Sequence, residues 1–285
     1  MGFLSFLSKT FRYVNENGES IVFTYNNGFL INKPVGIDTL QVSLSQATGI
    51  DQVGATVQSA NVQPRPVTVS GILVGDFAAT NKERLLSVIR PDLTAKLYAD
   101  DYYLNVRPTS TPTIDPTEKF AKFQFSVLAA YPYWQKDNSV RTVLSGLQYM
   151  FKFPWNISIE YQFAKLMETQ FINVLNRGQL PVPMTVTFYA RGDCKNPKIT
   201  NVNTGKIMAI NKSLVAGERV VVEITHDRTY VTSSVDGDIR GALSLKSTLN
   251  RLDVGDNVLK PEAEEGGNQL EVSIDFATEI VGITL

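Results

Sequence analysis

The sequence predicts a mainly β protein with two domains, and three observations support this prediction. The chain has 285 residues, of which 43% are hydrophobic and only 19% are charged. This length corresponds to one large domain or two domains of about 100–200 residues, with a sizeable core. Residue types that favour strands are plentiful, including 15 phenylalanines and 11 tyrosines. Finally, apolar and polar residues alternate in both halves of the chain, which is typical of half-buried strands.

The alternation predicts individual strands. The apolar members of these patterns are Val67 and Val69; Phe123, Phe125 and Val127; Met184, Val186 and Phe188; and Leu270, Val272, Ile274 and Phe276. The run from Val220 to Ile224 is almost continuously apolar, so it predicts a more buried strand.

One short helix is predicted between these strands. Thr80 and Glu83 have the spacing of a capping box, and an apolar stripe follows at Leu85, Leu86 and Ile89. Pro91 is expected to end this helix after Arg90.

Two further segments have distinct patterns. Apolar residues recur at spacings of three and four over 160–176, which predicts a second helix. Residues 46–63 are small and polar, and such a span is either a loop or an arm that reaches a neighbouring molecule.

A domain boundary is predicted directly after Tyr131-Pro132-Tyr133-Trp134, where a polar stretch interrupts the periodicity. The expected domains are residues 1–135 and 136–285.

Composition argues against several functions. Lys plus Arg is 27 and Asp plus Glu is 28, so the chain has no surplus of positive charge for binding nucleic acid. Cys194 is the only cysteine and His226 the only histidine, which rules out an internal disulfide and a Cys/His zinc site. A catalytic unit with a histidine base would have to use His226.

No membrane or secretion signal is expected. No stretch approaches about 18 consecutive apolar residues. The mildly amphipathic start, with Phe3, Leu4, Phe6 and Leu7, lacks the charged leader and cleavage site of a signal peptide. The sequence therefore predicts a soluble, unprocessed protein.

Two short motifs each have a functional and a structural interpretation. Asp236-Gly237-Asp238 resembles part of a calcium loop but lacks the further acidic ligands, so a solvent turn is preferred. Arg191-Gly192-Asp193 matches the integrin-type tripeptide, but its aspartate also suits a turn after a strand.

Three other groups could carry chemistry. His226-Asp227 could be a tuned base or a hairpin turn. Glu262, Glu264 and Glu265 could serve a glycosidase or form a solvated loop. A set of aromatic residues could stack on a sugar or fill a β core; its members are Tyr149, Phe151, Phe153, Trp155 and Tyr161. None completes a catalytic constellation, so no catalytic, metal or cofactor-binding residue is predicted.

The order of several segments resembles the distal tail (Dit) protein family of siphophages. In the first half, the matching segments begin with the strand Arg65–Gly71, which ends in glycine, and the helix that carries Arg84 and Leu85 and is followed by Pro91. They continue with Leu97-Tyr98, Tyr103 and Val106-Arg107, and they end with the strand that leads into Pro132-Tyr133-Trp134. In the second half, they are Asn176-Arg177-Gly178 with Pro181 and Pro183, Asn196–Ile199, Asn203–Gly205, Gly217–Val220 and Gly266–Asn268. Two departures are Ala130, where a polar residue is expected, and the stretch from Tyr149 to Phe171, which has no counterpart.

The resemblance implies a structural protein without enzymatic activity. It implies an N-terminal β domain with one short helix and an extended arm that forms a hexameric ring, and a C-terminal galectin-like β-sandwich. The implied family-signature residues are Arg65, Gly71, Arg84, Leu85, Pro91, Pro132, Tyr133 and Trp134.

The implied partners are further copies of the chain, the tail tube protein, the tail-tip protein (a tail-associated lysin) and a receptor-binding protein or cell-wall saccharide. The implied location is the virion tail tip, after synthesis in the bacterial cytoplasm. Two alternatives remain open: a glycan-binding module that uses Trp155 and nearby tyrosines, and a hydrolase that uses Glu262, Glu264 or aspartates of the second domain.

Overall fold

The computed structural model describes residues 10–74, 78–116, 121–137, 139–144, 147–149, 164–166 and 171–284. The chain divides into two compact units. The first unit comprises residues 1–137 together with the last residues, 280–285, and the second unit comprises residues 138–279. The amphipathic N-terminal residues Phe3–Leu7 lie outside the described residues.

The first unit is built from short antiparallel strands around one helix, α1 (Ala78–Val88). Its strands are β1 (Phe11–Asn15), β2 (Ser20–Phe23), β3 (Phe29–Ile31), β4 (Val42–Ala47), β5 (Thr56–Val62), β6 (Arg65–Leu73), β7 (Ala95–Ala99), β8 (Tyr102–Pro108), β9 (Thr113–Pro116), β10 (Ala121–Ala129) and β11 (Trp134–Lys136).

Most of these strands form one sheet in the order β2-β1-β7-β8-β10-β6-β3, with β9 also paired to β10 and β11 to β8. One face of the sheet is buried, because every second residue of β6 and β10 points inward. Apart from Arg65 and Gly71, these inward-facing residues are apolar. In this core, Phe23 stacks on both Phe123 and Phe125. Helix α1 covers the core with Leu85 and Val88.

The second unit contains two larger sheets and two small ones. Its strands are β12 (Val140–Val143), β13 (Leu147–Tyr149), β14 (Ala164–Leu166), β15 (Ile172–Asn176), β16 (Thr185–Ala190), β17 (Cys194–Lys195), β18 (Lys198–Asn201), β19 (Ile207–Ala209), β20 (Ser213–Leu214), β21 (Arg219–Ile224), β22 (Thr229–Ser233), β23 (Gly237–Asp238), β24 (Gly255–Glu262) and β25 (Leu270–Phe276). A last strand, β26 (Glu279–Ile280), leads out of this unit.

The two larger sheets form a β-sandwich. One has the order β12-β25-β16-β21-β22-β23 and the other β15-β24-β18-β19. Phe188 and Ile274 from the first sheet share one buried cluster with Ile199 and Leu259 from the second. The inner faces of the two sheets therefore enclose a common core.

The prediction of a mainly β protein is confirmed. Each strand predicted from strict alternation is present, as β6, β10, β16 and β25. β21 is also a strand, but it is not buried along its whole length. Its residues alternate in burial, since Val220 and Val222 are buried whereas Glu223 is exposed.

The predicted first helix is present with different ends. Thr80 lies inside α1, so the predicted capping box is wrong. Leu86 is exposed, because the inward face of the helix consists of Leu85, Val88 and the following Ile89.

The prediction of a second helix over 160–176 is wrong in the described residues, which form β14 and β15. β15 pairs with β24 over its whole length, and its β-branched residues Ile172 and Val174 favour an extended backbone.

Candidate assembly site

A buried arginine ties together three separate segments of the first unit. Arg65, the first residue of β6, is only 2% exposed. Its Nε donates to the carbonyl oxygen of Pro132 at 2.6 Å. Its Nη1 donates to the carbonyls of Gly36 at 2.9 Å and Ile37 at 2.8 Å, and its Nη2 donates to the carbonyl of Val281. A single side chain thus satisfies four backbone acceptors.

Arginine suits this position because its guanidinium is a rigid, planar group of five N–H donors. Burial lowers the pKa of Arg65, although nearby Asp38 opposes this shift. The charge is compensated mainly by carbonyl dipoles, and the Asp38 carboxylate is bonded to Lys33 at 2.8 Å. The site is therefore a structural clasp between chain segments.

Trp134 completes this clasp. Its side chain is fully buried, and its Nε1 donates to the carbonyl of Ile37 at 3.0 Å. Gly36 adopts φ +92°, and a Cβ at this position would lie 2.1 Å from the carbonyl oxygen of Pro66. Only glycine therefore allows the loop to approach β6 this closely.

The structure brings Arg65, Pro132 and Trp134 together and places the other predicted signature residues elsewhere in the first unit. A Cβ on Gly71 would lie 2.4 Å from the carbonyl oxygen of Leu30, so this glycine permits close pairing of β3 and β6. β6 also continues to Leu73, beyond the predicted end at Gly71.

The remaining signature residues have separate contacts. Leu85 is in the core, and Arg84 donates to the carbonyl of Ser20 at 2.7 Å. The carbonyl of Pro91 accepts from Arg107 Nε at 3.1 Å. Tyr133 packs edge-on against Tyr131, with ring centroids 5.3 Å apart.

The second feature of the first unit is an exposed hairpin formed by β4 and β5. These strands pair with each other from Val42↔Val62 to Ala47↔Thr56, and they form a two-stranded sheet of their own. Residues 41–62 are exposed, except for the half-exposed Ala47. The turn includes Asp51 and Gly54, both with positive φ. The segment 46–63, predicted to be a loop or an arm, thus belongs to a projecting hairpin.

The two faces of the hairpin differ in polarity. One face carries Leu44 opposite Ala60, and Val42 opposite Val62. The other face carries Ser43 opposite Asn61, and Ser45 opposite Ser59. Leu44 is 50% exposed and Val57 is 52% exposed. One face is therefore apolar and lacks cover from the described part of the chain.

This uncovered face favours contact with another molecule. A two-stranded hairpin is at best marginally stable by itself in water. From Gln41 to Gln63 the only charged residue is Asp51. Depletion of charge is typical of the core of protein interfaces.

The Asp236-Gly237-Asp238 and Arg191-Gly192-Asp193 motifs form ion pairs and hydrogen bonds with other residues of the second unit. Asp236 pairs with Lys212 at 3.0 Å, and Asp238 accepts from the backbone N–H of Arg240 at 3.0 Å. In the other motif, Arg191 pairs with Glu271, and Asp193 accepts from the N–H of Ala216 at 3.0 Å. Among the described residues, no group of three or more Asp, Glu, His or Cys could hold a metal ion.

The candidate acid–base residues each contact another polar side chain. His226 lies in the turn between β21 and β22, with its Nε2 3.2 Å from a carboxylate oxygen of Glu279. Glu262 pairs with Lys260 at 2.6 Å and with Lys198 at 3.4 Å.

The other two glutamates of that cluster share a single lysine. Lys195 lies 3.9 Å from Glu264 and 3.1 Å from Glu265. Each carboxylate of the cluster therefore lies within ion-pair distance of a lysine on the surface of the second unit.

Two further expectations concern other parts of the chain. Phe151, Phe153, Trp155 and Tyr161 lie outside the described residues, as does the side chain of Tyr149. Within the described ranges, no helix is long and apolar enough to span a membrane.

These observations define a class of protein: a β protein of two units, whose second unit is a sandwich and whose first unit projects an uncovered hairpin. Residues 177–279 match the profile of the siphovirus-type tail component family, C-terminal domain. This part of the chain thus matches a siphovirus-type tail domain, and the resemblance predicted from the sequence is confirmed.

Solved structures of phage proteins are similar to this chain. The Dit protein of SPP1, described as a paradigm of the hub adsorption apparatus in phages that infect Gram-positive bacteria, is 15% identical, with a TM-score of 0.69. The match covers 94% of this chain and 98% of that chain, so the two chains share a fold. A chain of the phage P2 baseplate in its activated conformation with calcium matches with a TM-score of 0.47 and 8% identity, over 96% of this chain and 99% of that one. Among curated proteins, none matches this sequence.

Proposed function

We propose that this protein is the structural hub of a phage or phage-like tail tip, in which a hexameric ring joins the tail tube to the tail-tip and receptor-binding proteins. The observation that carries the proposal is the fold shared with SPP1 Dit over 94% of the chain. The tail-component profile over residues 177–279 supports it. The protein would then lie at the tail tip of the virion, after synthesis in the host cytoplasm, and would act without catalysis.

The two predicted domains have separate roles in this proposal. The domain predicted over residues 1–135 would form the ring, together with residues 280–285, which belong to the same compact unit. The rest of the domain predicted over residues 136–285 would project from it as a galectin-like sandwich. The exposed hairpin of β4 and β5 supplies a surface for the neighbouring copy, because its apolar face would be covered on assembly. A formal net charge of −1 also limits repulsion among the copies of a ring.

Negative-stain electron microscopy with light scattering on the same sample tests this proposal. We expect six-fold rings with a central channel, formed by the protein alone or after addition of its tail-tip protein. Removal of residues 46–63 should abolish the rings and leave a folded monomer. A protein that stays monomeric under both conditions, or rings that persist without these residues, would contradict the proposal.

The alternative of a cell-wall glycan-binding module stays a prediction, because Trp155 lies outside the described residues. The hydrolase alternative is less well supported, since Glu262, Glu264 and Glu265 are each paired with lysine.

A further inference from the structure

A polar groove crosses the outer face of the six-stranded sheet of the second unit. It has a volume of about 440 Å³, which lies within the range of about 300–1,000 Å³ typical of ligand sites. Its lining comes from four neighbouring strands or their ends: Arg141, Thr187, Tyr189, Arg191, Arg219, Val221, Glu271, Ser273 and Asp275.

The register of the sheet explains why a groove forms here. Thr187 pairs with Ser273 on one side and with Val221 on the other, so three small side chains form a row across the strands. In the next row, Tyr189 pairs with Glu271 and with Arg219. Long side chains therefore stand above a floor of small ones, and the groove runs across the strands.

The opposite rim is also formed by long side chains. Arg141 of β12 pairs in register with Asp275 of β25, on the other side of the small row. The groove therefore has charged groups along both rims, with hydroxyl groups and one valine on its floor.

Some of the charged side chains in the groove form ion pairs with each other and others do not. Arg191 is bonded to Glu271, so these two side chains neutralise each other. Arg141 and Arg219 are exposed and form no ion pair with the described residues. Arg219 lies beside the ring of Tyr189, with its guanidinium carbon 5.7 Å from the ring centroid. The groove thus presents two guanidinium groups to a ligand, one on each rim.

We propose that this groove binds an anionic polysaccharide. Guanidinium groups bind carboxylates and phosphates with two parallel hydrogen bonds. Ser273, Thr187 and Asp275 can hydrogen-bond the hydroxyl groups of a sugar chain, and the ring of Tyr189 offers an apolar surface to a sugar ring. Hydroxyl-rich, negatively charged chains match this combination of groups.

The geometry argues against the other polymers. An extended peptide adds to a sheet through backbone groups at an edge strand, whereas this groove lies over β25, β16 and β21 inside the sheet. A nucleic acid needs a wider positive surface, and here Glu271 and Asp275 lie among the arginines. The groove belongs to the second unit alone, so the inference does not depend on ring formation.

Binding of the full-length protein to immobilised polymers tests the inference. Polygalacturonate supplies carboxylates and phosphomannan supplies phosphodiesters on a sugar chain. Dextran is the neutral control, and single-stranded poly(dT) is the control for unspecific attraction to polyanions. We expect binding to at least one of the two anionic glycopolymers, and which of them binds identifies the acidic group. Dextran and poly(dT) should bind more weakly by about tenfold or more.

Three variants locate the site. Combining Arg141→Gln and Arg219→Gln removes the two guanidinium groups and should weaken binding at least about tenfold. Thr187→Trp fills the floor without changing charge and should weaken binding to a similar extent. Arg251→Gln, at an exposed arginine outside the groove, is the matched control and should stay within about twofold.

Thermal unfolding of each variant checks that its fold is intact, and the two exposed arginines are expected to be dispensable for folding. The inference is overturned if neither glycopolymer binds, if poly(dT) binds equally well, or if the folded groove variants bind like the wild type. Equal loss in Arg251→Gln would also overturn it, because attraction would then depend on total charge.

Discussion

At the scale of single residues, Arg65 is the side chain on which the first unit depends most. Replacement by methionine leaves the carbonyls of Gly36, Ile37, Pro132 and Val281 without this donor. The Ile37 carbonyl keeps Trp134 Nε1 as a donor. Each other buried acceptor that loses its partner costs about 1–3 kcal/mol, so we expect a loss of at least about 3 kcal/mol in the free energy of unfolding. Urea denaturation monitored by tryptophan fluorescence measures this loss.

Arg84→Met is the matched control for this prediction. Arg84 is exposed and makes one hydrogen bond, to the carbonyl of Ser20, so its loss should cost no more than about 1 kcal/mol. Arg65→Lys keeps the charge but lacks the planar set of donors, and it should resemble Arg65→Met. Equal stability of the Arg65 and Arg84 variants would contradict the role assigned to the clasp.

Glu218 in the second unit predicts a pH dependence. Its carboxylate is fully buried and accepts from Lys212 at 2.6 Å, from Ser233 at 2.5 Å and from the N–H of Val215 at 3.1 Å. Burial alone would raise the pKa of Glu218, but these hydrogen bonds outweigh it and hold the pKa below the usual 4.5. The charged form is therefore favoured by folding.

A pKa that is lower in the folded state stabilises the protein above the pKa of the unfolded chain, and this contribution disappears as the pH falls through the folded value. At neutral pH we expect Glu218→Gln to be less stable than the wild type by roughly 1–3 kcal/mol. The difference should shrink as the solution is acidified below pH 4.5. Urea denaturation across this range measures it, with the exposed Glu223→Gln as a control. A difference independent of pH would contradict the assignment.

At the scale of elements, the hairpin of β4 and β5 allows a comparison between adjacent residues. Leu44 lies on its apolar face and Ser43 on its polar face. If the apolar face is covered by a neighbouring copy, Leu44→Asp buries a charge in the interface, whereas Ser43→Asp keeps its charge in water. We expect Leu44→Asp to weaken assembly at least about tenfold and Ser43→Asp to leave it nearly unchanged.

Light scattering over a dilution series measures this difference. Both variants should unfold like the wild type, because the hairpin forms a sheet separate from the core of the first unit. Equal assembly by the two variants would show that the apolar face is not the contact surface.

The elements also show what the sequence can and cannot predict. β10, β16 and β25 are predictable because one buried face imposes a period of two on the sequence. The hairpin lacks a buried face, and only the short run Val42-Ser43-Leu44-Ser45 of β4 alternates, whereas the small and polar residues of β5 obscure the pattern. Apolar spacings of three and four also occur by chance in strands, and in residues 172–176 pairing with β24 decides the outcome.

The sequence predicts only some of the residues of the clasp, because its acceptors are backbone groups. Arg65, Pro132 and Trp134 were expected as signature residues, but three of the four acceptors belong to Gly36, Ile37 and Val281. These acceptors are backbone carbonyls, which every residue type carries, and Val281 is 216 positions from Arg65. Gly36 is the only one of the three whose residue type is required, through its close approach to Pro66.

At the scale of the whole molecule, the first unit is built from both ends of the described chain. Residues 280–285 belong to it, although they follow the entire second unit in sequence. Ile283 is buried in its core, and its N–H donates to the carbonyl of Ile37 at 3.1 Å. Gly282 fits closely against Asp38, since a Cβ there would lie 2.7 Å from the Asp38 carbonyl oxygen.

This arrangement predicts that removal of residues 280–285 weakens the first unit and spares the second. Loss of buried Ile283 alone costs about 2–4 kcal/mol, and Arg65 loses one of its acceptors as well. Hydrogen exchange measured by mass spectrometry should show faster exchange in β6 and β10 and unchanged exchange in β16 and β25. Ile283→Ala should reproduce part of the effect, whereas Thr284→Ala, at an exposed residue, should not. Faster exchange confined to the second unit would contradict the prediction, because the last residues would then stabilise the sandwich and not the unit that holds the clasp.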